Sequence, residues 1–392
     1  MKKLTVCLLL LMQLFGCTID NPQVPDNNTP PNEVVSPEDD NNEPEDELTI
    51  PEEEDKSLFY EFEKEAMLLL ENMTLEEKIG QLFLARCPED ENIDLYLSMK
   101  PGGFIMFGRD FNGKTKEEVI ENINCYQENS SISMIIGVDE EGGTVVRVSS
   151  NPNLSDERFK SPQELFDLGG YEEIKRDAKE KSKLLKSLGI NLNLSPVADV
   201  STNAEDFIFD RAFGKSAEET SQYVKTVVEA AKENNISSTL KHFPGYGNNI
   251  DTHTGSAYDT RPYEEFLNSD FLPFKAGIDA GVESILVSHN IVESIDPKQP
   301  ASLSKKVIDI LRNDMEFTGI IMTDDLSMGA ISETASPEVM AVMAGNDMLI
   351  VSDLETSYNT LLSAVLNKDI TEERINESVL RIIKWKYYLE LI

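Results

Sequence analysis

Six short apolar runs in this chain each lead into an aspartate or a histidine. The runs are rich in β-branched residues, which is typical of strands buried on both faces of a parallel sheet. Charged segments with helical spacing separate them, and this alternation predicts successive strand–helix units. The residues at the ends of the runs are Asp139, Asp199, His242, His289, Asp324 and Asp353. The predicted helices cover 116–128, 172–188, 217–233, 305–314 and 371–389.

The predicted fold class is α/β, with a single (β/α)8 barrel of the TIM type over residues 57–392. That length is large for one domain but lies within the range of a barrel with inserted loops. The carboxyl ends of all eight strands meet at one face of such a barrel. We therefore expect the aspartates and histidines at the strand ends to line one shared mouth.

Residues 1–16 are predicted to be a lipoprotein signal peptide. Lys2 and Lys3 precede an apolar stretch that is too short to span a bilayer. The stretch ends in Leu14-Phe15-Gly16-Cys17, which resembles a bacterial lipoprotein signal with Cys17 as the lipidated mature N-terminus. An ordinary secretory signal that contains a cysteine is the alternative. We expect an extracytoplasmic protein, lipid-anchored to the bacterial cell membrane.

Residues 17–56 are rich in Pro, Asn, Asp and Glu and poor in large apolar side chains, so they are predicted to be a disordered acidic linker. The chain has a formal charge of −37, and this linker carries a large share of it. The excess of negative charge argues against nucleic acid as a partner. Cys87 and Cys125 are expected to be small core residues, since one possible pair is not a disulfide framework. We expect the protein to be a monomer.

The segment 241–253 contains two of the three histidines of the chain. An apolar run ends at Lys241-His242, a Pro-Gly-x-Gly turn follows, and the segment finishes with Asp251-Thr252-His253. Histidine titrates near neutral pH, and a nearby carboxylate orients it and raises its basicity. The segment therefore predicts a site of proton transfer that uses Asp251 and His253.

Other strand ends carry carboxylates and arginines that are suited to a sugar ligand. A carboxylate such as Asp324 at a barrel mouth can act as a nucleophile on a sugar. Asp139 can accept hydrogen bonds from sugar hydroxyls, and the two glycines at 142 and 143 are expected to let the backbone approach a ligand. Arg147 and Arg211 can donate to ligand oxygens. The alternative for each residue is structural, as a helix cap or an ion pair.

Three further strand-end residues have a structural interpretation. For Asp199 and Asp353 we favour a helix N-cap or turn role. His289 has no acidic or glycine-rich context, so a core position explains it equally well. The spacings H-x-H and H-E-x-x-H are absent, and the glycine-rich segment around Asp251 and His253 is a poor frame for zinc. We expect neither a metal nor a cofactor.

The motifs together resemble glycoside hydrolase family 3, and specifically its β-N-acetylhexosaminidase branch. Their order along the chain and their spacing make the resemblance specific, and they cover almost all of residues 57–392. The matching segments are 73–81, 101–107, Asp139-Glu-Glu-Gly-Gly, 194–200, Asp210-Arg-Ala-Phe-Gly, Lys241-His-Phe-Pro-Gly, Asp251-Thr-His, Thr323-Asp-Asp-Leu-Ser-Met and 344–349.

The resemblance implies a role for each matching residue. Asp324 stands where the family has its nucleophile, and His253, with Asp251 as its partner, stands where this branch has its general acid/base. The residues at the positions that bind the terminal N-acetylglucosamine are Asp139, Arg147, Arg211, Lys241 and His242. The implied activity is that of a retaining exo-β-N-acetylglucosaminidase acting on a GlcNAc-containing glycan or muropeptide.

Two departures and three alternatives accompany the resemblance. The family usually has His where this chain has Tyr246, and a basic residue where it has Thr144, which bears on the shape of the loop and on the subsite beyond the first sugar. The same fold also serves a β-N-acetylglucosaminide phosphorylase, in which phosphate replaces water, or a β-glucosidase. A non-catalytic sugar-binding lipoprotein is the alternative from another class.

Overall fold

Eight parallel strands close into a barrel in the computed structural model, which describes residues 57–252 and 255–392. The strand order is β10-β1-β2-β3-β4-β5-β7-β9, and a parallel bridge between Met322 and Met348 joins the last strand to the first. The predicted (β/α)8 barrel of the TIM type is confirmed. The barrel strands are β1 (Phe83–Arg86), β2 (Gly103–Met106), β3 (Ile135–Val138), β4 (Leu192–Asn193), β5 (Ser237–Phe243), β7 (Ser284–Val287), β9 (Ile320–Thr323) and β10 (Leu349–Val351). Strands β6 (Tyr258–Asp259) and β8 (Ile291–Val292) form a separate two-stranded sheet.

The barrel strands are apolar throughout because both of their faces are buried. Side chains alternate along a strand, so Leu84 and Ile105 point into the barrel while Phe83 and Ala85 pack against the surrounding helices. The interior and the helical layer therefore form separate apolar cores. Polar side chains appear where the strands emerge at their carboxyl ends.

Helices surround the barrel, and several begin at capping boxes, in which a Thr or Ser side chain bonds to the backbone three residues on. The helices are α1 (Glu63–Glu71), α2 (Leu75–Gln81), α3 (Ile93–Ser98), α4 (Gly108–Phe111), α5 (Lys116–Glu128), α6 (Pro162–Ser187), α7 (Ala217–Lys232), α8 (Tyr263–Glu265), α9 (Phe271–Asp279), α10 (Lys305–Asp309), α11 (Pro337–Ala344), α12 (Leu354–Leu366) and α13 (Glu372–Tyr388).

The predicted helices are found close to their predicted bounds, with two differences. Helix α6 begins ten residues before the predicted start, because Ser161 and Glu164 form a capping box there, and Gly169 and Gly170 interrupt the helix afterwards. The predicted helix over 305–314 is helical throughout, but its second half, Ile310–Asp314, is a π-helical turn.

The terminal helices close the end of the barrel opposite the mouth. Lys384 of α13 bonds to Glu63 of α1 at 2.6 Å, and the indole N–H of Trp385 donates to the hydroxyl oxygen of Ser237 at 3.1 Å. Ser237 is the first residue of β5, so α13 is fixed directly to the amino end of a barrel strand. These contacts stabilise the amino ends of the strands, and the carboxyl ends form the face that carries function in such barrels.

The two cysteines of the barrel have different environments. Cys87 is buried as predicted, and burial raises the pKa of its thiol to about 12. The prediction of a core position for Cys125 is wrong, because it lies on an exposed position of α5. Both cysteines are free.

The predicted signal peptide 1–16, the linker 17–56 and the lipidation site Cys17 lie outside the described residues. Within the described residues, the helices are each too short or too polar to cross a lipid bilayer.

Lys386 provides a test of the packing at the closed end. Its ammonium group is fully buried and donates to Gln81 Oε1 at 2.6 Å, and burial lowers its pKa from 10.5 to about 7. The folded state therefore disfavours the charged form. Burial of this lysine therefore lowers the free energy of unfolding, and this penalty has its full size below pH 7. The penalty decreases as the pH rises from about 7 to about 10.5, where the unfolded chain also loses the proton.

We expect Lys386→Met to raise the free energy of unfolding by about 1–3 kcal/mol near pH 6 and by clearly less near pH 10. Urea unfolding at the two pH values measures the difference. Lys384→Met, on the same helix, removes a paired lysine and is the matched control. A gain for Lys386→Met that is equal at both pH values would show that burial does not lower the pKa of this lysine.

Candidate functional site

A cavity of about 490 Å³ opens at the carboxyl ends of the barrel strands. The structure brings six of the residues singled out from the sequence to its wall: Asp139, Arg147, Arg211, Lys241, His242 and Asp324. The other residues that line the cavity are Arg86, Ile105, Phe107, Glu141, Val145, Leu194, Leu286, Asp325, Ser327, Met328, Gly329, Ile350 and Ser352. Charged and hydroxyl groups therefore share the wall with aliphatic side chains, a mixture suited to a polar ligand with apolar ring faces.

A buried network of charges organises one side of the cavity. Lys241, at the end of β5, lies 2.6 Å from Asp139 Oδ1 and 2.6 Å from Glu141 Oε1. Arg211 donates to both oxygens of Glu141, from Nη2 at 2.8 Å and from Nε at 3.0 Å. Two cations thus balance two carboxylates, and the network joins the turn after β3 to β5 and to the loop that carries Arg211.

The pKa values of this network favour the charged forms. Burial alone would lower the pKa of Lys241, but Asp139 and Glu141 outweigh burial and raise it. Burial alone would raise the pKa of Glu141, but Arg211 and Lys241 outweigh it, so the pKa of Glu141 lies far below its usual range. Lys241 and Glu141 are therefore ionised at neutral pH and present fixed charges beside the cavity.

Asp199 orients His242, so our interpretation of Asp199 as a helix cap or turn residue was wrong. Its Oδ2 accepts hydrogen bonds from the ring Nδ1 of His242 at 2.8 Å and from the backbone N–H of His242 at 3.1 Å. Its Oδ1 accepts from the backbone N–H of Tyr246 at 2.7 Å. His242 Nδ1 thus carries a proton, and Nε2 lies 3.2 Å from the Arg211 donor Nη2. The helix-cap interpretation of Asp353 is confirmed, because its side chain accepts from Thr356 N at the start of α12.

Asp324 follows β9 and differs from the other carboxylates of the cavity. Among the described residues, its carboxylate accepts a hydrogen bond only from the backbone N–H of Asp325, at 2.8 Å. Burial alone would raise the pKa of Asp324, but His289 and His242 outweigh it, and the pKa lies below its ordinary value of 3.8. Asp324 is therefore an ionised carboxylate with free lone pairs that face the cavity, as a nucleophile or a general base requires.

His289 lies in the core beside this site, where its environment satisfies it. Its ring Nδ1 lies 2.7 Å from Ser302 Oγ, and its Nε2 donates to the backbone oxygen of Asp325 at 3.0 Å. It is fully buried, and its electrostatic effect lowers the pKa of Asp324. The core interpretation of His289 therefore fits its environment.

The loop after β5 is held in place by buried hydrogen bonds. The Tyr246 hydroxyl lies 2.6 Å from Thr252 Oγ1 and accepts from the Thr252 backbone N–H at 3.1 Å. Burial raises the pKa of Tyr246 to about 12, so its hydroxyl keeps its proton at neutral pH. The backbone oxygen of Thr252 accepts from Ala330 N at 3.1 Å, which ties this loop to the segment that follows Asp324.

A cluster of ion pairs also holds the loop that follows β5. Arg261 lies between Asp259 and Asp270, at 2.8 Å and 2.9 Å. The amide of Asn249 donates to Asp259 Oδ2 at 2.8 Å, which fastens the loop to the cluster. Asp251 is half-buried and does not line the cavity, and His253 lies outside the described residues.

The glycines after Glu141 serve a different purpose from the one we expected. A Cβ at Gly142, whose φ is +108°, would lie 2.2 Å from the backbone oxygen of Lys160, so a neighbouring loop rather than a ligand approaches it. The side chain of Glu140 turns away from the cavity and accepts from the backbone N–H groups of Arg147 and Val148, both at 2.7 Å. The turn is therefore a rigid support that presents Arg147 to the cavity.

The sequence analysis missed three groups of this site. Arg86 ends β1, where an apolar run leads into a charged residue, and the same rule applied to β1 would have found it. Glu141 pairs with Lys241 and Arg211, and its position two residues after Asp139 was its only signal. The partnership of Asp199 with His242 had none, because it depends on how β4 pairs with β5, which the two segments do not specify by themselves.

The arrangement is suited to hold a polyhydroxylated ligand next to a reactive carboxylate. Ionised donors and acceptors in fixed positions form directed hydrogen bonds to hydroxyl groups. Among residues 57–252 and 255–392, no group of three or more His, Cys, Asp or Glu side chains is placed to hold a metal ion.

Comparison with known proteins agrees with this geometry. Residues 74–385 match the family described as the glycosyl hydrolase family 3 N terminal domain. A β-hexosaminidase from Xanthomonas campestris pv. campestris (strain B100) is 29% identical over 231 residues, which are 58% of this chain and 69% of the relative. A β-hexosaminidase from Actinobacillus pleuropneumoniae serotype 5b is 26% identical over 315 residues, which are 75% of this chain and 87% of the relative.

The solved structure of a glycoside hydrolase family 3 β-N-acetylglucosaminidase from Paenibacillus sp. superimposes with a TM-score of 0.77 at 28% identity. The match covers 81% of this chain and 63% of the Paenibacillus chain, so this chain spans less than two thirds of that protein.

The contact between Tyr246 and Thr252 can be tested directly. Tyr246→Phe removes both hydrogen bonds of the hydroxyl and leaves the polar groups of Thr252 buried without that partner. We expect a loss of about 1–3 kcal/mol in the protection of the Thr252 amide, because an unsatisfied buried polar group costs about that much. Hydrogen exchange of the peptide that contains residues 246–252 measures it.

Tyr358→Phe is the matched control, since the Tyr358 hydroxyl donates to the backbone oxygen of Glu76 among the outer helices. It should leave exchange in the loop unchanged. Equal protection of Thr252 in the wild type and in Tyr246→Phe would show that other contacts hold the loop.

Proposed function

Since this chain belongs to glycosyl hydrolase family 3 and is a glycoside hydrolase, we propose that it is a retaining exo-β-N-acetylglucosaminidase, which releases terminal β-linked N-acetylglucosamine. The observation that carries the proposal is the contrast around Asp324. Its carboxylate is ionised and nearly free of hydrogen bonds, while the other carboxylates of the charge network, Asp139 and Glu141, are bonded to cations.

In the proposed first step, an oxygen of Asp324 attacks the anomeric carbon, and the glycosidic C–O bond breaks. His253 gives its proton to the leaving oxygen, so the aglycone departs as a neutral alcohol and a covalent glycosyl-enzyme remains. In the second step, His253 takes a proton from water, the water oxygen bonds to the anomeric carbon, and the bond to Asp324 breaks. The configuration at the anomeric carbon is retained because it inverts twice.

The low pKa of Asp324 supports its role as the nucleophile, since the attacking group must be ionised. We assign Asp251 as the partner that orients His253. A histidine as the acid avoids the repulsion that a second carboxylate would experience next to Asp324.

The charge network provides the proposed binding site for the terminal sugar. Asp139 accepts hydrogen bonds from hydroxyl groups, and Lys241 and Arg211 donate to ring-substituent oxygens. His242, held by Asp199, and Arg147 complete the set. The cavity volume of about 490 Å³ lies within the usual range for small-molecule sites and leaves room for one sugar and part of its aglycone.

The substrate source and the location remain part of the proposal. We propose terminal N-acetylglucosamine of peptidoglycan fragments or related glycans as the substrate. A lipid at Cys17 and the linker 17–56 would hold the barrel outside the cell membrane, within reach of such glycans. A single acyl chain binds a membrane only marginally, so stable anchoring requires the several chains of a lipoprotein modification.

The primary test is an assay with 4-nitrophenyl β-N-acetylglucosaminide and the matching β-glucoside, each with and without phosphate. We expect selective release from the N-acetyl sugar, independent of phosphate. Asp324→Ala should lower kcat by about three orders of magnitude or more, because removing a nucleophile abolishes the covalent route. Thermal unfolding confirms that the variant is folded.

Asp309→Asn, which removes a surface carboxylate paired with Lys305, is the matched control and should keep full activity. Retained activity in Asp324→Ala would refute its assignment as the nucleophile. Release that depends on phosphate and yields the sugar 1-phosphate would identify a phosphorylase. Absence of release from both sugars by folded protein would favour a sugar-binding protein.

The location has a separate test. We expect Cys17→Ser to move the protein from the membrane fraction to the soluble extracytoplasmic fraction, because the variant lacks the thiol that would carry the lipid. Cell fractionation with immunodetection measures the distribution, and Cys125→Ser, on the barrel surface, is the control. A Cys17→Ser protein that stays with the membrane would refute the lipid anchor.

A further inference from the structure

An exposed aromatic ring lies beside the loop that follows β5. Phe207 belongs to the segment between β4 and α7, which also carries Arg211 to the wall of the cavity. Phe207 is 41% exposed, and its ring centroid lies 5.7 Å from the ring centroid of Tyr246, which is buried. Phe207 therefore packs against the loop that follows β5 while part of its ring stays open to solvent.

The backbone on both sides of Phe207 is fixed. Asp206, directly before it, accepts a hydrogen bond from the hydroxyl of Ser201 at 2.7 Å. Ile208, directly after it, is fully buried and packs with Tyr246 in a small apolar cluster. The position of the Phe207 side chain is thus set before a ligand arrives, which reduces the entropy that a ligand would lose by ordering it.

A series of ring contacts connects Phe207 with the cavity. The ring centroid of Tyr246 lies 5.4 Å from that of His242, in an edge-to-face arrangement, and His242 lines the cavity. A single exposed apolar side chain is common on a protein surface and by itself indicates nothing. The contact series from the cavity to the surface distinguishes Phe207 from exposed apolar residues of the outer helices, such as Leu68 and Leu366.

The loop that Phe207 contacts identifies the part of the substrate that this ring faces. In the proposed mechanism, the acid/base His253 and its partner Asp251 belong to the loop that follows β5. An acid must lie beside the oxygen to which it gives its proton, so this loop borders the leaving-group side of the cavity. Phe207 packs on Tyr246, and Tyr246 is bonded to Thr252, directly after Asp251. Phe207 therefore lies on the leaving-group side.

An aromatic side chain in this position is suited to a second sugar ring. The face of a phenyl ring carries partial negative charge, and the C–H groups of a pyranose ring are slightly positive, so the two rings attract each other face to face. A phenyl ring forms no directed hydrogen bonds to hydroxyl groups, and it therefore recognises the apolar face of a sugar. The terminal sugar instead meets charged groups such as Asp139 and Lys241.

We infer, on the basis of the proposed glycosidase function, that Phe207 forms the subsite for the leaving group, where its ring stacks on the pyranose ring next to the terminal sugar. Recognition of the terminal sugar stays with the charge network, and Phe207 adds affinity for what is attached to it. The enzyme therefore hydrolyses oligosaccharides of two or more sugars more efficiently than simple alkyl glycosides.

The test compares two substrates whose leaving groups are both alkyl alcohols, so that both need a proton from the acid. N,N′-diacetylchitobiose has a second sugar ring, and methyl β-N-acetylglucosaminide has none. We expect the full-length protein to have a kcat/KM about tenfold higher for the disaccharide, because stacking on an aromatic ring contributes about that factor. Phe207→Ala should remove this preference by raising KM for the disaccharide, and should leave kcat and KM for the methyl glycoside unchanged.

Three further variants separate the aromatic face from other effects. Phe207→Tyr keeps the face and should keep the wild-type preference, whereas Phe207→Leu keeps apolar volume without the ring and should lose part of it. Tyr60→Ala is the matched control, because Tyr60 is 47% exposed next to α1, at the closed end of the barrel. It should leave both substrates unchanged. Thermal unfolding checks the fold of each variant.

Equal efficiency of the wild type on both substrates would overturn the inference, as would a Phe207→Ala protein that keeps the preference for the disaccharide. An equal loss on both substrates in Phe207→Ala would also overturn it, since the ring would then act through Tyr246 and the loop. In each of these cases turnover of the methyl glycoside by the wild type leaves the proposed function intact. Absence of turnover of both substrates and of 4-nitrophenyl β-N-acetylglucosaminide by the folded wild type would refute the proposed function, and the inference with it.

Discussion

The ammonium group of Lys241 lies at the end of β5, between two carboxylates that belong to the turn after β3. Its side chain is 3% exposed, and both N–O distances are 2.6 Å. An ammonium group at this depth is tolerated only with close partners, and two carboxylates at this depth need cations in turn. Arg211 supplies the second cation, and its contact with His242 extends the network to Asp199. The mutual need for partners thus fixes the ends of three strands relative to one another.

This fixed network determines the properties of Asp324. His289 and His242 lower the pKa of Asp324 most, and Lys241, which is paired with Asp139 and Glu141, adds to the effect without forming an ion pair with Asp324. A direct ion pair would also lower the pKa of Asp324, but it would occupy the lone pairs that a nucleophile needs. Two histidines and the backbone N–H of Asp325 therefore keep Asp324 ionised. Its position directly after β9, whose backbone is bonded to β7 and to the segment before β10, supplies the rigidity.

The fold could be predicted from the sequence because the determinants of a parallel barrel are local. Apolar runs such as those before Asp139 and Asp324 are required by burial on both faces, and the alternation with helices follows the chain. The expectation that residues at the carboxyl ends of the strands share one mouth also held for Asp139, His242 and Asp324, which line the same cavity. Partnerships between distant residues could not be predicted. Asp199 has the sequence context of a cap, and only the pairing of β4 with β5 brings it to His242. The prediction of a core position for Cys125 was wrong because successive side chains of a helix point about 100° apart, so one position along the helix separates a buried side chain from an exposed one.

The distribution of cations over the barrel mouth is informative because cations are scarce in this chain. The sequence has 35 Lys and Arg residues against 72 Asp and Glu residues, so a basic side chain has an abundance of acidic partners. Arg211, Arg261 and Lys241 follow this expectation and serve to hold backbone segments in place. Arg86 and Arg147 do not, although carboxylates line the same cavity. Stacking on Phe107 holds their guanidinium groups away from those carboxylates and keeps them available. The Phe107 ring therefore holds the two guanidinium groups without occupying their hydrogen-bond donors, which a ligand can still use. In the same way, the neighbouring histidines keep Asp324 ionised without occupying the oxygen atoms that a ligand would contact.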